Sequence, residues 1–179
     1  ALSSAASDVY KRQNIITDFL RKYVPGYEHC TIKTGASTLG IRESRRFSGK
    51  YVMNISDLRE ARRFPDVVVH KAQFVVDIHN PVGGGQANGI AEYVDAYDIP
   101  WRSLVPQKME NLILAGRCIS GTHEAMASYR VMAIAMAIGE AAGIGAALAI
   151  DHDVTPENLD VKYIQKALMD KGAVLFDEK

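Results

Sequence analysis

The chain has 179 residues, 47% hydrophobic and 23% charged, which is enough apolar material for one ordinary soluble domain and too much for a long disordered chain. Twenty-one basic side chains balance 21 acidic ones, so no global field draws the protein to nucleic acid or to an anionic membrane. The two cysteines, Cys30 and Cys118, stand 88 positions apart, which excludes a disulfide framework, a CxxC pair and a four-thiolate iron–sulfur site within the chain and fits a reducing, cytoplasmic setting.

Residues 1–13, ALSSAASDVYKRQ, are set apart as a non-native, adapter-like tail, because they resemble translated sequencing-adapter sequence. The alternative is a native polar stretch leading into a helix, capped by Ser7 or Asp8. No basic segment leads into an apolar run here, so no secretory signal is expected. Over residues 14–24 the apolar side chains Ile15, Ile16, Phe19, Leu20 and Tyr23 fall at helical spacing, and Pro25-Gly26 stops the helix. Residues 31–52, with β-branched side chains and scattered glycines, predict strands or extended segments around a turn near Ser48-Gly49. A short helix capped by Ser56 is expected over 56–63, and strands over 67–69 and 74–78. Residues 80–89 hold four glycines and a proline and predict a loop, either a mobile lid or a plain connection. Another strand is expected near 93–101.

The next stretch carries the chemistry. Residues 112–115 (LILA) are a short apolar run ending at Gly116, the pattern of a strand buried on both faces. A polar loop follows, and then residues 128–150 predict one long helix capped by Ser128. Gly116 permits close backbone approach to a ligand, and the helix N-terminus offers free amides and partial positive charge. Arg130 in its first turn opposes that dipole, which makes sense if an anion sits nearby. Residues 131–150 carry a single charge, Glu140, so a membrane-inserted helix must be weighed. Eleven of those 20 residues are alanine or glycine, which gives little drive for insertion and favours a tightly packed core helix. A connector at 151–156 and a last amphipathic helix over 159–171, ending at Gly172, complete the chain.

The runs NLILAGRCIS (111–120), THEA (122–125), Ser128, RVM (130–132) and GEAAG (139–143) together resemble the C-terminal flavin motif of the FAD-dependent oxidoreductase family, which belongs among the glutathione-reductase-like flavoproteins. LGIRESRR (39–46), DIH (77–79) and IPWRSLVP (99–106) resemble the same family's substrate-side region, so the likeness extends from about residue 14 to the C-terminus. The resemblance implies an α/β fold: the C-terminal part of a two-domain FAD-binding flavoprotein. Residues 14–110 would be a β-rich substrate-side region, 111–150 the final strand, loop and long helix of the FAD domain, and 151–179 a connector and helix. It implies FAD as cofactor, with Gly116, Arg117 and Cys118 bordering the ribityl or pyrophosphate region. The helix from Ser128 would aim its N-terminus, through Arg130, Val131 and Met132, at the flavin's N1/O2 edge. No G-x-G-x-x-G occurs on a strand–helix unit, since Gly83-Gly84-Gly85 precedes no helical pattern. The half that holds the ADP moiety is therefore expected to precede residue 1, as a missing partner.

The candidate catalytic groups are Arg42, Glu43, His79 and Arg102, all on the substrate side and each equally readable as part of a solvated, ion-paired face. Cys118 five residues before His123 invites a thiol–histidine pair, but a small side chain lining the flavin loop is the simpler reading. The positions of His70, Asp77 and His79 fit no metal site, and none is expected. The function implied is flavin-mediated hydride or electron transfer on a small-molecule substrate, without nucleic acid or membrane partners. The alternatives are an inactive structural fragment and a membrane-anchored protein with helix 128–150 inserted.

Overall fold

The computed structural model describes residues 2–35, 41–43, 45–78 and 91–177, with side chains from residue 11 onward. The chain divides into two units, Ala1–Arg42 and Glu43–Lys179. The loop expected at residues 80–89 lies outside the described residues.

The first unit is dominated by one helix, α1 (Leu2–Tyr23). It begins well before the expected start at residue 14, because alanine, lysine, arginine and glutamine all favour helix and nothing in residues 2–13 breaks it. Gly26, at φ +89°, ends the following turn, and Arg21 Nε donates to the Cys30 carbonyl at 2.8 Å. Ile15, Ile16, Phe19 and Tyr23 are all more than half exposed. The periodicity of this helix is real, but its apolar face is uncovered.

In the second unit, α2 (Ile55–Arg59) is capped by Asn54 and not by Ser56. Asn54 Oδ1 accepts from the amides of Ser56 and Asp57 at 2.9 and 3.3 Å, while Asp57 Oδ2 accepts from the Asn54 amide at 3.0 Å. That reciprocal box satisfies orphan amides at the helix start, which Ser56, inside the helix, cannot do. The buried Asp57 also receives the Tyr51 hydroxyl at 2.7 Å and pairs with Arg62 at 2.8 Å.

The only regular sheet among the described residues is the antiparallel pair β1 (Val67–Ala72) and β2 (Tyr97–Pro100), with Val67 opposite Pro100, Val69 opposite Ile99 and Ala72 opposite Tyr97. Three expected strand segments do not form ladders. Around 45–52 the backbone bonds irregular chain, with Lys50 N to Val105 O at 2.9 Å and Tyr51 N to Arg102 O at 3.1 Å, leaving one bridge from Gly49 to Pro106. Residues 74–78 keep one bridge, Val76 to Glu92. Residues 112–115 are half-buried or exposed, and Leu114 N donates to Leu104 O at 3.0 Å with no neighbouring strand. A strand is defined by a ladder to its partner, and these segments make at most a single bridge.

The expected long helix is two. α3 (His123–Tyr129) is capped by Thr122, and α4 (Met132–Asp151) starts anew after Val131, which is extended at φ −70°, ψ 152°. Ser128 is therefore buried inside α3 and caps nothing. α4 packs through Ile134, Ile138, Ala141, Gly145 and Ala149. Gly145 meets Trp101 so closely that a Cβ there would overlap the indole. α5 (Val161–Asp170) lies as expected and buries Ile164, Gln165 and Leu168, with Gln165 Nε2 bonding the carbonyls of Pro65 and Val67 at 2.9 and 3.0 Å. Gly172 at φ +93° follows it, a conformation strained for any residue with a Cβ. Tyr97, Tyr129, Met53, Leu58, Ile99, Leu104, Ile119, Met126 and Ile138 form the centre of the core. Each large aliphatic side chain buried there contributes about 1.5–3 kcal/mol. The architecture is mixed helix and sheet, compatible with an α/β class.

Candidate functional site

An open cleft of about 620 Å³ lies where the 3₁₀ turn Gly116–Cys118 meets the start of α4. Ala115, Gly116, Arg117, Cys118, Arg130, Met132 and Ala135 line it. Gly116 has φ +84° and no atom within 4 Å of the place a Cβ would occupy, so its backbone lies open to a ligand. The Cys118 thiol donates to the Ala115 carbonyl at 3.3 Å. Arg130, only 12% exposed, donates to the Asp77 carbonyl at 2.8 Å and pairs with its carboxylate at 3.3 Å. The bridge from α3 to α4 is thereby tied to the chain 53 positions earlier. Val131, the N-cap of α4, offers no side-chain acceptor, so the first amides of a 20-residue helix present their partial positive charge at this end.

Five of the seven residues expected around a cofactor, Gly116, Arg117, Cys118, Arg130 and Met132, thus share one cleft. Val131 lies between two of them as the half-buried cap. Ser128 does not join them: it is fully buried, donating to the Phe74 carbonyl at 2.6 Å and sharing a 2.8 Å hydrogen bond with the Tyr97 hydroxyl. Burial raises the Tyr97 phenol to a pKa of about 12. That phenol is a neutral structural partner near pH 7.

A second group of polar side chains runs alongside. The Phe47 amide donates to the Cys118 carbonyl at 3.3 Å, laying residues 43–47 against the segment that leads from the cleft to α3. Glu43 Oε2 stands 2.7 Å from His123 Nδ1, and Arg46 pairs with the same carboxylate while its Nε donates to the Gly121 carbonyl at 2.9 Å. Partial burial works to raise the Glu43 pKa, but the hydrogen bonds from His123 and Arg46 outweigh it and hold the carboxyl below the usual glutamate range. His123 opens α3, and its side chain is half exposed. The nearest partner found for His123 is a carboxylate, not the Cys118 thiol. Gly121 packs on Tyr129, whose hydroxyl donates to the Ile119 carbonyl at 3.0 Å and whose pKa is raised by burial.

Of the remaining sequence candidates, Arg102 is held by Asp66 in a two-pronged pair at 2.8 and 3.1 Å, with its guanidinium 5.3 Å from the Tyr51 ring centroid. Arg42 is exposed at the end of the first unit. His79 lies outside the described residues. Among the described residues no cluster of histidine, cysteine or carboxylate side chains is arranged to hold a metal. His123 is the functional candidate that sequence reasoning undervalued, because no local pattern announces that residues 43 and 123 meet.

No curated protein and no solved structure gives a significant match. The family model for FAD dependent oxidoreductases matches residues 3–168, nearly the whole chain, and with that span the protein belongs to the FAD-dependent oxidoreductase family, whose cofactor is FAD.

Proposed function

We propose that this chain is the C-terminal part of a two-domain, glutathione-reductase-like flavoprotein and that the cleft at Gly116–Cys118 and the start of α4 receives the flavin end of FAD. The residues present fit that group on three counts. The glycine has no Cβ and leaves its backbone accessible, the cavity of about 620 Å³ is open, and a long helix end without a side-chain cap makes the site favourable to anions, with the charge of Arg130 shared with Asp77. The third carries the reading, because a reduced flavin gains negative charge and a helix N-terminus stabilises charge of that sign by about 0.3–2 kcal/mol.

Bound FAD supplies hydride or electron transfer. The chain's own residues do the rest. Gly116 admits the cofactor against the backbone, Arg117, Cys118 and Met132 shape the walls, and Asp77 keeps Arg130 from swinging away. Glu43 holds His123 with Nδ1 as the donor, so that Nε2 accepts or delivers a proton for a small-molecule substrate. Arg46 keeps Glu43 ionised and in place. Arg102, tied to Asp66, supports the fold and does not bind substrate.

The ADP end of the cofactor falls to an N-terminal half not represented in these 179 residues. The outer face of α4 supports this, since Met132, Met136 and Ile150 are each at least 74% exposed along a helix that buries its opposite face. α4 is also long and apolar enough to cross a membrane, with a mean hydropathy of 1.9. Its packing on Trp101 favours a water-soluble assembly, and the free cysteines suit the cytoplasm.

The test is a flavin titration of the chain alone and mixed with a separately made N-terminal half, followed by visible absorption and fluorescence. Retention of FAD with a perturbed spectrum in the mixture supports the reading, and retention lost in Gly116→Val locates it. FAD held equally well by the N-terminal half without this chain overturns it and leaves the chain an inactive structural piece.

A further inference from the structure

The side chain of His70, on β1, is 3% exposed, and its two ring nitrogens have different surroundings. Nδ1 lies 2.8 Å from Asp98 Oδ1 on β2. Asp98 also accepts from Arg63 Nη1 at 3.0 Å, from the Lys71 amide at 3.3 Å and from the Phe64 amide at 3.4 Å. An acceptor of so many fixed donors leaves His70 Nδ1 only the donor role. Nε2 is buried and has no hydrogen-bond partner among the described residues. The group it faces is Asp177 Oδ1, at 3.6 Å, on the C-terminal segment. That segment is seated by Leu175, 3% exposed in the core, and Asp177 pairs with Lys71 beside the histidine. Among the described residues the ionisable groups around the imidazole are therefore Asp98 from β2 with Arg63 behind it, Lys71 from β1, and Asp177 from the segment after α5.

With Nδ1 fixed as a donor, a neutral ring turns a bare lone pair toward a carboxylate, two acceptors with no proton between them. A protonated ring places N–H there and satisfies both. We propose that the C-terminal segment is a proton-operated latch: seating residues 173–177 on β1 takes up one proton at His70 Nε2, so the segment is held more tightly as pH falls and released as it rises. The sign follows from linkage, because the seated state binds the extra proton and acid favours it. Among the side chains in this cluster, histidine is the type that changes charge within about pH 5–8. Lys71 adds attraction for Asp177 throughout that range and supplies no pH dependence of its own.

The proposal is tested by hydrogen exchange of the amides of residues 173–177 between about pH 6 and pH 8, corrected for intrinsic exchange. One-proton linkage predicts protection rising with acid by at most about tenfold per pH unit. Asp177→Asn should flatten that slope. Lys71→Gln should lower protection at every pH and keep the slope. Both positions are half exposed, so folding is not at stake, whereas His70→Gln serves only if the variant folds. A flat wild-type profile, a slope that survives Asp177→Asn, or a slope that disappears in Lys71→Gln each overturns the latch.

Discussion

Glu43 and His123, 80 positions apart, are joined at 2.7 Å, and this pair brings the chain before α2 against the start of α3. Because the Glu43 carboxyl titrates below its ordinary value, the contact contributes stability above the usual glutamate pKa and loses it as pH falls through the depressed value. Glu43→Gln should therefore be less stable than wild type near neutrality by about 0.2–1 kcal/mol, the range for a partly solvated ion pair, with the difference vanishing in acid. Urea denaturation across pH measures it, and a deficit that persists below the carboxylate range would exclude ionisation as the cause.

Gly145 and Gly139 lie on one helix and should respond oppositely to alanine. At Gly145 the new methyl collides with Trp101, an overpacking that costs about 1–3 kcal/mol. At Gly139 nothing lies within 4 Å, and the usual helical preference for alanine returns about 0.5–1 kcal/mol. Thermal melts of both variants decide this. Equal shifts in the same direction would show that Trp101 is not what Gly145 accommodates.

Gly116→Val should weaken the chain and empty the cleft together. The left-handed backbone at φ +84° costs an L-residue about 1–2 kcal/mol, and the β-branched side chain would project into open space where a ligand approaches. Denaturation and flavin titration on one sample report both effects. A variant with unchanged stability and unchanged flavin retention would remove Gly116 from the site.

Ser128→Ala should separate support from binding. Its hydroxyl serves the Phe74 carbonyl and the Tyr97 phenol inside the core, so its loss leaves buried groups unpaired at a cost of about 1–3 kcal/mol. Flavin affinity of the folded fraction should stay within twofold of wild type. A large loss of affinity without loss of stability would return Ser128 to the cofactor.

Much of the local structure was legible in the residues alone. The spacing of Ile164, Leu168 and their neighbours marks α5, Gly172 marks its end, and the apolar residues of 14–24 mark the second half of α1. Residues 116–118 and 130–132, with residues 39–46 and 99–106, carry the resemblance to the FAD-dependent oxidoreductase family that the family match bears out. These are properties of backbone preference and side-chain period, which neighbours in sequence determine.

Tertiary contacts decided what depends on distant partners. The helix predicted from 128 to 150 breaks at Val131, where Arg130 is drawn to Asp77 and Ser128 to Phe74, 53 and 54 positions away. The apolar run at 112–115 has strand composition and no strand beside it, so its hydrogen bonds go to a loop. Arg102 is held by Asp66, 36 positions away, and His123 by Glu43, 80 positions away, and no local pattern shows either partner. Periodicity tells which faces are apolar and which ends are capped. Which group meets which across tens of residues follows only from how those faces pack.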